Sequence, residues 1–159
     1  MTRHDGGRSI FITGAGAGIG AATARLFASR GWIVGASDVD IAALAALQGE
    51  VGADRLSVYT ADVRDAQAMQ AAIAAFAEGP GAGRLDAVFA NAGVLYMGPD
   101  ATLTAEQKQL QIDVNVKCVV HTFDAAMPYL LRATPGARAI AMASTSAEYG
   151  SPQHAVYGA

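Results

Sequence analysis

The sequence predicts an α/β fold, a parallel sheet with helices on both faces, and three observations carry that prediction. Apolar runs rich in β-branched residues alternate with longer alanine-rich segments of helical period. Short Gly, Pro or Asp clusters separate them. At 159 residues the chain has room for one ordinary domain with a sizeable core. Strands that alternate with helices are joined by crossovers, which make the strands parallel and lay helices against the sheet.

The elements follow in order. Strands are predicted at residues 9–13, 32–37, 56–60, 87–90 and 139–143, and helices at 18–30, 41–48, 65–78 and 104–131. The first helix follows a glycine-rich turn and ends at Gly31, where a left-handed residue can stop it. Asp40 caps the second helix and Gly49 ends it. Asp65 begins the third, and Gly79-Pro80-Gly81 closes it. The fourth starts at Thr102 or Thr104, with Glu106 completing a capping arrangement, and Pro128 kinks it. Residues 1–8 form a polar tail, and 9–159 form the domain.

Composition narrows the function classes. Hydrophobic residues make up 52% and charged residues 16%, which excludes a disordered chain. The net charge is −3 and no stripe of Lys or Arg occurs, so neither nucleic acid nor an anionic membrane has an electrostatic basis as a partner. Small molecules are the expected partners. No secretory signal or membrane-length apolar stretch is visible, so the expected location is cytoplasmic. Cys118 is the only cysteine, and its place in an apolar helix pattern marks it as core packing. His4, His121 and His154 show no ligand spacing, so no metal site is expected.

The first strand runs directly into Thr13-Gly14-Ala15-Gly16-Ala17-Gly18-Ile19-Gly20, and a helix pattern follows at once. Glycines allow a tight turn and close approach of a ligand, while the unpaired N–H groups at a helix start attract negative charge. The segment therefore reads as a phosphate-binding turn. Counting from Gly14 and Gly16, the third glycine of a G-x-G-x-x-G fingerprint falls on Ile19, so the strict form fails. A triphosphate-binding loop is excluded because no Lys-Ser or Lys-Thr pair follows. The plain alternative is tight strand-to-helix packing by small residues.

In such sheets ligands sit beyond the C-terminal ends of the strands. At the second of these ends stands Asp38, 24 positions after Gly14. A carboxylate there accepts hydrogen bonds from both hydroxyls of an adenosine ribose and repels a 2′-phosphate, so it favours NAD over NADP. Ala17 offers no basic partner for such a phosphate, which agrees. An aspartate in this place can also be a loop or capping residue, a role that Asp40 fits better.

The later strand ends carry Asp62-Val63, Asn91-Ala92-Gly93 and Ser144. Taken with Thr13-Gly14-x-x-x-Gly18-Ile19-Gly20, Asn115 in Asp113-Val114-Asn115-Val116, and Tyr157 thirteen residues after Ser144, they give a sequence that resembles the short-chain dehydrogenase/reductase family. The likeness extends from Arg8 onward. The gap between Gly14 and Gly18 is similar to that of the compact single-domain subfamily. The resemblance implies a Rossmann-type doubly wound sheet and hydride transfer between a nicotinamide and a carbonyl or secondary alcohol. It implies Tyr157 as the acid/base, Ser144 as the hydroxyl on the substrate oxygen, and Asn115 as the residue that holds a relay water. It implies Gly14, Gly18, Ile19 and Gly20 at the cofactor phosphates, Asp38 at the ribose, and Asp62 and Val63 at the adenine. By the same likeness, Asn91, Ala92 and Gly93 would support the cofactor beside the central strand. A dimer or tetramer is the implied assembly.

Each of these residues has a plainer role available. A strand-end serine forms turns, an asparagine in a helix bends it, and a tyrosine packs amphipathically. Ser146 is a second serine, but its separation from Tyr157 does not suit the family. The resemblance also places a lysine at position 161, beyond Ala159. That lysine lowers the tyrosine pKa by its charge. The chain therefore resembles the N-terminal two-thirds of such a protein, with five of about seven strands present, and by itself is expected to turn over poorly and expose a sheet edge. The competing expectation is a non-catalytic dinucleotide-binding module.

Overall fold

In the computed structural model, which describes residues 7–133 and 135–159, five parallel strands form one sheet in the order β3-β2-β1-β4-β5. The strands are β1 (Ser9–Thr13), β2 (Ile33–Asp38), β3 (Leu56–Thr60), β4 (Ala87–Ala90) and β5 (Arg138–Ala141). The helices are α1 (Gly18–Ser29), α2 (Ile41–Val51), α3 (Ala66–Glu78), α4 (Ala105–Asn115) and α5 (Lys117–Leu130). This is the Rossmann-type arrangement, in which the order reverses after β1 and opens a crevice between the ends of β1 and β4. The polar tail at 1–8 and His4 fall largely outside the described residues, which begin at Gly7.

Side-chain alternation along β1 divides the core. Ile10 and Ile12 pack with Ala24, Val34, Leu44 and Leu47, beneath α1 and α2. Phe11 points the other way, to Met69, Phe76, Val88, Cys118 and Tyr129, beneath α3 and α5. Every residue of β1 and β4 is buried, as expected of strands covered on both faces. All four residues of β5 are exposed, and the strand forms one edge of the sheet.

Several boundaries differ from the sequence reading, each for a local reason. β2 begins at Ile33 and reaches Asp38, where the backbone still pairs with Thr60 of β3. β5 is Arg138–Ala141, shorter at its far end than predicted because only its pairing with β4 holds it. α2 continues through Gly49 to Val51 and ends at Gly52, whose φ of 100° provides the stop expected three residues earlier. Asp40 and Asp65 do cap α2 and α3 through their carboxylates. Thr104 caps α4, but its partner is Gln107 rather than Glu106, since the reciprocal bond comes from the third helical residue. The long pattern from 104 to 131 divides at Val116, and Pro128 lies inside α5.

Candidate cofactor and substrate site

The sheet ends open into a cavity of about 1310 Å³ that runs from the glycine turn to Tyr157. Three of the turn's glycines do different work. At Gly14, φ is 63° and a Cβ would come within 2.7 Å of the Ala92 Cα. At Gly20 a Cβ would lie 2.1 Å from the Gly14 carbonyl oxygen and 2.7 Å from the Asn91 Nδ2. These two let the turn, α1 and the end of β4 interlock at backbone distance. Gly18 differs: its φ is 51°, and nothing lies within 4 Å of where a Cβ would stand. It faces the open cavity.

The interlock is completed by polar bonds. Thr13 Oγ1 accepts from the Asn91 and Ala92 amides, at 3.0 and 3.1 Å. Both lone pairs are then in use, so the hydroxyl proton points to Cys118 Sγ, 3.5 Å away. Burial pushes the Cys118 thiol pKa up, which suits a sulfur acting as an acceptor in the core rather than as a nucleophile. Asn91 Nδ2 donates to the Thr13 and Gly14 carbonyls, at 3.0 and 3.2 Å. The turn is thus fixed to the end of β4.

At the start of α1 the N-cap is Ala17, whose side chain accepts nothing, and the first turn holds no acidic residue. The free N–H groups and the positive end of the helix dipole therefore meet the cavity unneutralised. Ile19, 61% exposed, stands on the same rim. These features fit an anion such as a pyrophosphate, with Gly18 providing the room. Gly20 does not line the cavity; its part is packing.

Asp38 bounds one side. Its Oδ2 accepts from the Gly16 amide at 2.9 Å, and Oδ1 accepts from the Asp40 amide at 3.1 Å. The carboxylate braces the turn and retains lone pairs toward the cavity it lines. Beyond it, Asp62, Val63 and Arg64 form the next wall. Arg64 grips both oxygens of the Asp62 carboxylate and holds its pKa below the usual carboxylate range. Val63 accepts, through its carbonyl, a bond from His121 on α5 if the Nδ1 carries the proton, with the two atoms 3.0 Å apart. Arg64 was not singled out in the sequence; a basic residue directly after Asp62-Val63 was the available signal.

The opposite end holds the expected reacting groups. Ser144 caps a 3₁₀ turn at Thr145–Ala147, its Oγ accepting from the Ser146 amide at 3.2 Å, so the turn role and a cavity position coexist. Ser146 itself is not on the cavity wall. Tyr157 lines the cavity and lies with its ring centroid 6.1 Å from that of His154. It sits in turns, not in a helix. The Gly158 amide donates to the His154 carbonyl at 2.7 Å, and one such turn does not propagate a helix.

Asn115 ends α4. Its Oδ1 accepts from the Val94 amide at 2.8 Å, and its Nδ2 donates to the Val94 carbonyl at 2.9 Å. The side chain is therefore committed to the backbone after β4. The helix break beside it has a consequence for the main chain: the Val119 amide donates to the Val116 carbonyl at 3.2 Å, not to the Asn115 carbonyl that a continuous helix would use. Asn91, Ala92 and Gly93 line the cavity between the two ends. Gln111, 1% exposed and one helical turn before Asn115, also borders it; sequence reasoning passed over it as one polar residue in a polar helix.

Comparison with known proteins agrees with this fold. The sequence model described as short chain dehydrogenase matches residues 8–159. Oxidoreductase UcpA of Salmonella typhimurium is 35% identical over 144 residues, covering 89% of this chain and 53% of that protein. A 3-ketoacyl-(acyl-carrier-protein) reductase from Brucella melitensis, solved as a complex with NADH, superposes with a TM-score of 0.87 at 28% identity, covering 96% of this chain and 63% of that one. An alcohol dehydrogenase from the archaeon Thermococcus sibiricus, complexed with 5-hydroxy-NADP, superposes with a TM-score of 0.87 at 27% identity, covering 95% and 64%. The chain spans about half of UcpA and 59% of a similar sulfoacetaldehyde reductase from Chromohalobacter salexigens.

Proposed function

The chain belongs to the short-chain dehydrogenase family, and from that membership we propose that it binds a nicotinamide dinucleotide and serves hydride transfer between that cofactor and a carbonyl or secondary alcohol. The observation that carries the reading is the single cavity that joins the glycine turn, Asp38, Asn115, Ser144 and Tyr157. When bound, the nicotinamide supplies the hydride donor or acceptor. The protein's own groups do the rest.

Gly14, Gly18 and Gly20 shape the turn, and the open start of α1 holds the pyrophosphate. Asp38 takes the ribose hydroxyls, which makes NAD the preferred cofactor over NADP. Asp62 and Val63 border the adenine, and Asn91 to Gly93 back the cofactor at the central strand. Tyr157 exchanges the hydroxyl proton with the substrate oxygen, and Ser144 donates a second hydrogen bond to that oxygen as its charge develops. The Asn115 carbonyl, bypassed by Val119, is available to accept from a relay water, while its side chain holds the Val94 wall. A small-molecule alcohol or ketone is the substrate, and pairing of subunits is the expected assembly. A cytoplasmic location is part of the proposal; among the described residues no helix is long and apolar enough to cross a membrane.

Quenching of protein fluorescence on NADH titration tests the cofactor reading, and NADH oxidation with a ketone panel tests turnover. Tighter NADPH than NADH binding overturns the NAD preference. NADH binding without turnover on any ketone or alcohol favours the second reading, a binding module.

A further inference from the structure

Between β4 and α4 the chain crosses the cavity wall in extended form, and two carboxamides of α4 grip it. Asn115 holds both the amide and the carbonyl of Val94. One turn earlier, Gln111 Oε1 accepts from the Tyr96 amide at 3.2 Å. The two spacings match, since four residues of helix advance about 6 Å and two of extended chain about 6.6 Å. The wall therefore docks on α4 in antiparallel register, 94 on 115 and 96 on 111. Leu95, between the two gripped residues, lines the cavity and is 43% exposed. At its far end the same segment is tied to the Tyr157 region, where the Gly98 amide donates to the Gln153 carbonyl at 3.1 Å.

The two clamps are unequal. Asn115 makes both of its bonds, whereas Gln111 Nε2 is buried and has no partner among the described residues. The amide cannot simply be turned over, because that would set its NH₂ against the Tyr96 N–H. A buried donor without an acceptor is unfavourable. The bond that Asn115 makes and Gln111 lacks is the one to the carbonyl of the residue it grips.

Resting on the function proposed above, we infer that Gln111 is a positioning residue for the substrate-side wall: it holds Tyr96, and thereby Leu95, against α4, and its second bond, Nε2 to the Tyr96 carbonyl, closes when the cavity fills. It acts through the wall and touches neither cofactor nor reacting atoms.

Amide exchange followed by NMR on the full chain tests this without turnover. In the unliganded protein the Tyr96 amide is protected; Gln111→Leu lowers that protection at least tenfold and leaves Val94 unchanged. Saturating NADH slows exchange of the Gln111 side-chain amide at least threefold. Gln111→Glu separates the two bonds. Its buried carboxyl, with a raised pKa, imitates the amide when protonated by accepting at one oxygen and donating from the other. Ligand-induced slowing at Tyr96 is then retained at low pH and lost as the carboxyl ionises. Where turnover is measured, Gln111→Leu raises the ketone KM about fivefold with kcat within twofold, and the protonated Glu variant restores it. Unchanged Tyr96 protection in Gln111→Leu overturns the clamp, and unchanged Gln111 side-chain exchange with bound NADH overturns its closing. Should Gln111→Leu not fold, the wild-type side-chain measurement and the Glu variant decide. Absent turnover with these exchange changes intact rejects the proposed reaction alone.

Discussion

The two ends of the cavity are built differently. At the glycine turn, a buried threonine, an asparagine amide and two backbone-to-backbone approaches lock β1, α1 and β4 together. At the other end, Ser144 and Tyr157 lie on a 3₁₀ turn and a series of loose turns beyond the exposed edge strand β5. The glycine-turn end is held together by residues packed on one another, and the end proposed to react presents Ser144 and Tyr157 from irregular turns. Substitutions should therefore damage the first through stability and the second through rate.

The largest expected effect is at Gly20. Gly20→Ala drives a methyl into the Gly14 carbonyl, and should destabilise the fold by about 3 kcal/mol or more, seen as a lowered Tm together with lost NADH binding. Gly18→Ala provides the control. It meets no atom, so only its positive φ opposes it, by about 1 kcal/mol, and NADH affinity should fall more than Tm. Equal damage from both would dissolve the distinction between packing glycine and ligand glycine.

Tyr157→Phe should reverse the pattern. Removing the proposed proton-transfer group should lower turnover by about 10²-fold or more, with unfolding and NADH titration curves unchanged. A Tm loss as large as that of a core variant would place Tyr157 in packing instead. Thr13→Val comes next. It leaves the Asn91 and Ala92 amides without their acceptor, and urea unfolding should show a loss of about 2 kcal/mol.

Asp38→Ala joins both behaviours, because its carboxylate braces Gly16 and borders the cavity. NADH affinity should fall about tenfold and the NADH-over-NADPH preference should narrow, as competition titrations would show. The smallest effect is at Asp62. Arg64 depresses its pKa, so the pair stabilises the fold above the ordinary carboxylate range and that contribution disappears as pH falls through the lowered value. The pair is partly exposed, so the difference in acid unfolding between the protein and Asp62→Asn should stay within about 1 kcal/mol.

Much of this was legible along the chain because it depends on local order. The alternation of apolar runs and helical segments determined a parallel α/β sheet, and carboxylates placed directly before helices announced the caps at Asp40 and Asp65. The glycine spacing, joined to Asp38, Asn91, Asn115, Ser144 and Tyr157, identified the family by motifs that need no contacts to read. The division at Val116, the run of α2 through Gly49 and the choice of Gln107 over Glu106 were not legible in this way. Each depends on which backbone group finds a partner in space.

The same reason divides the site. By itself the sequence determined which strand end each motif follows and the family the motifs resemble, since residue type and spacing carry both. Only the tertiary structure decided which glycine packs and which faces the cavity, that Thr13 directs its proton to Cys118, and that Asn115 and Gln111 grip one wall. Those roles belong to pairs of residues distant along the chain, and pairing of that kind exists only once the chain has folded.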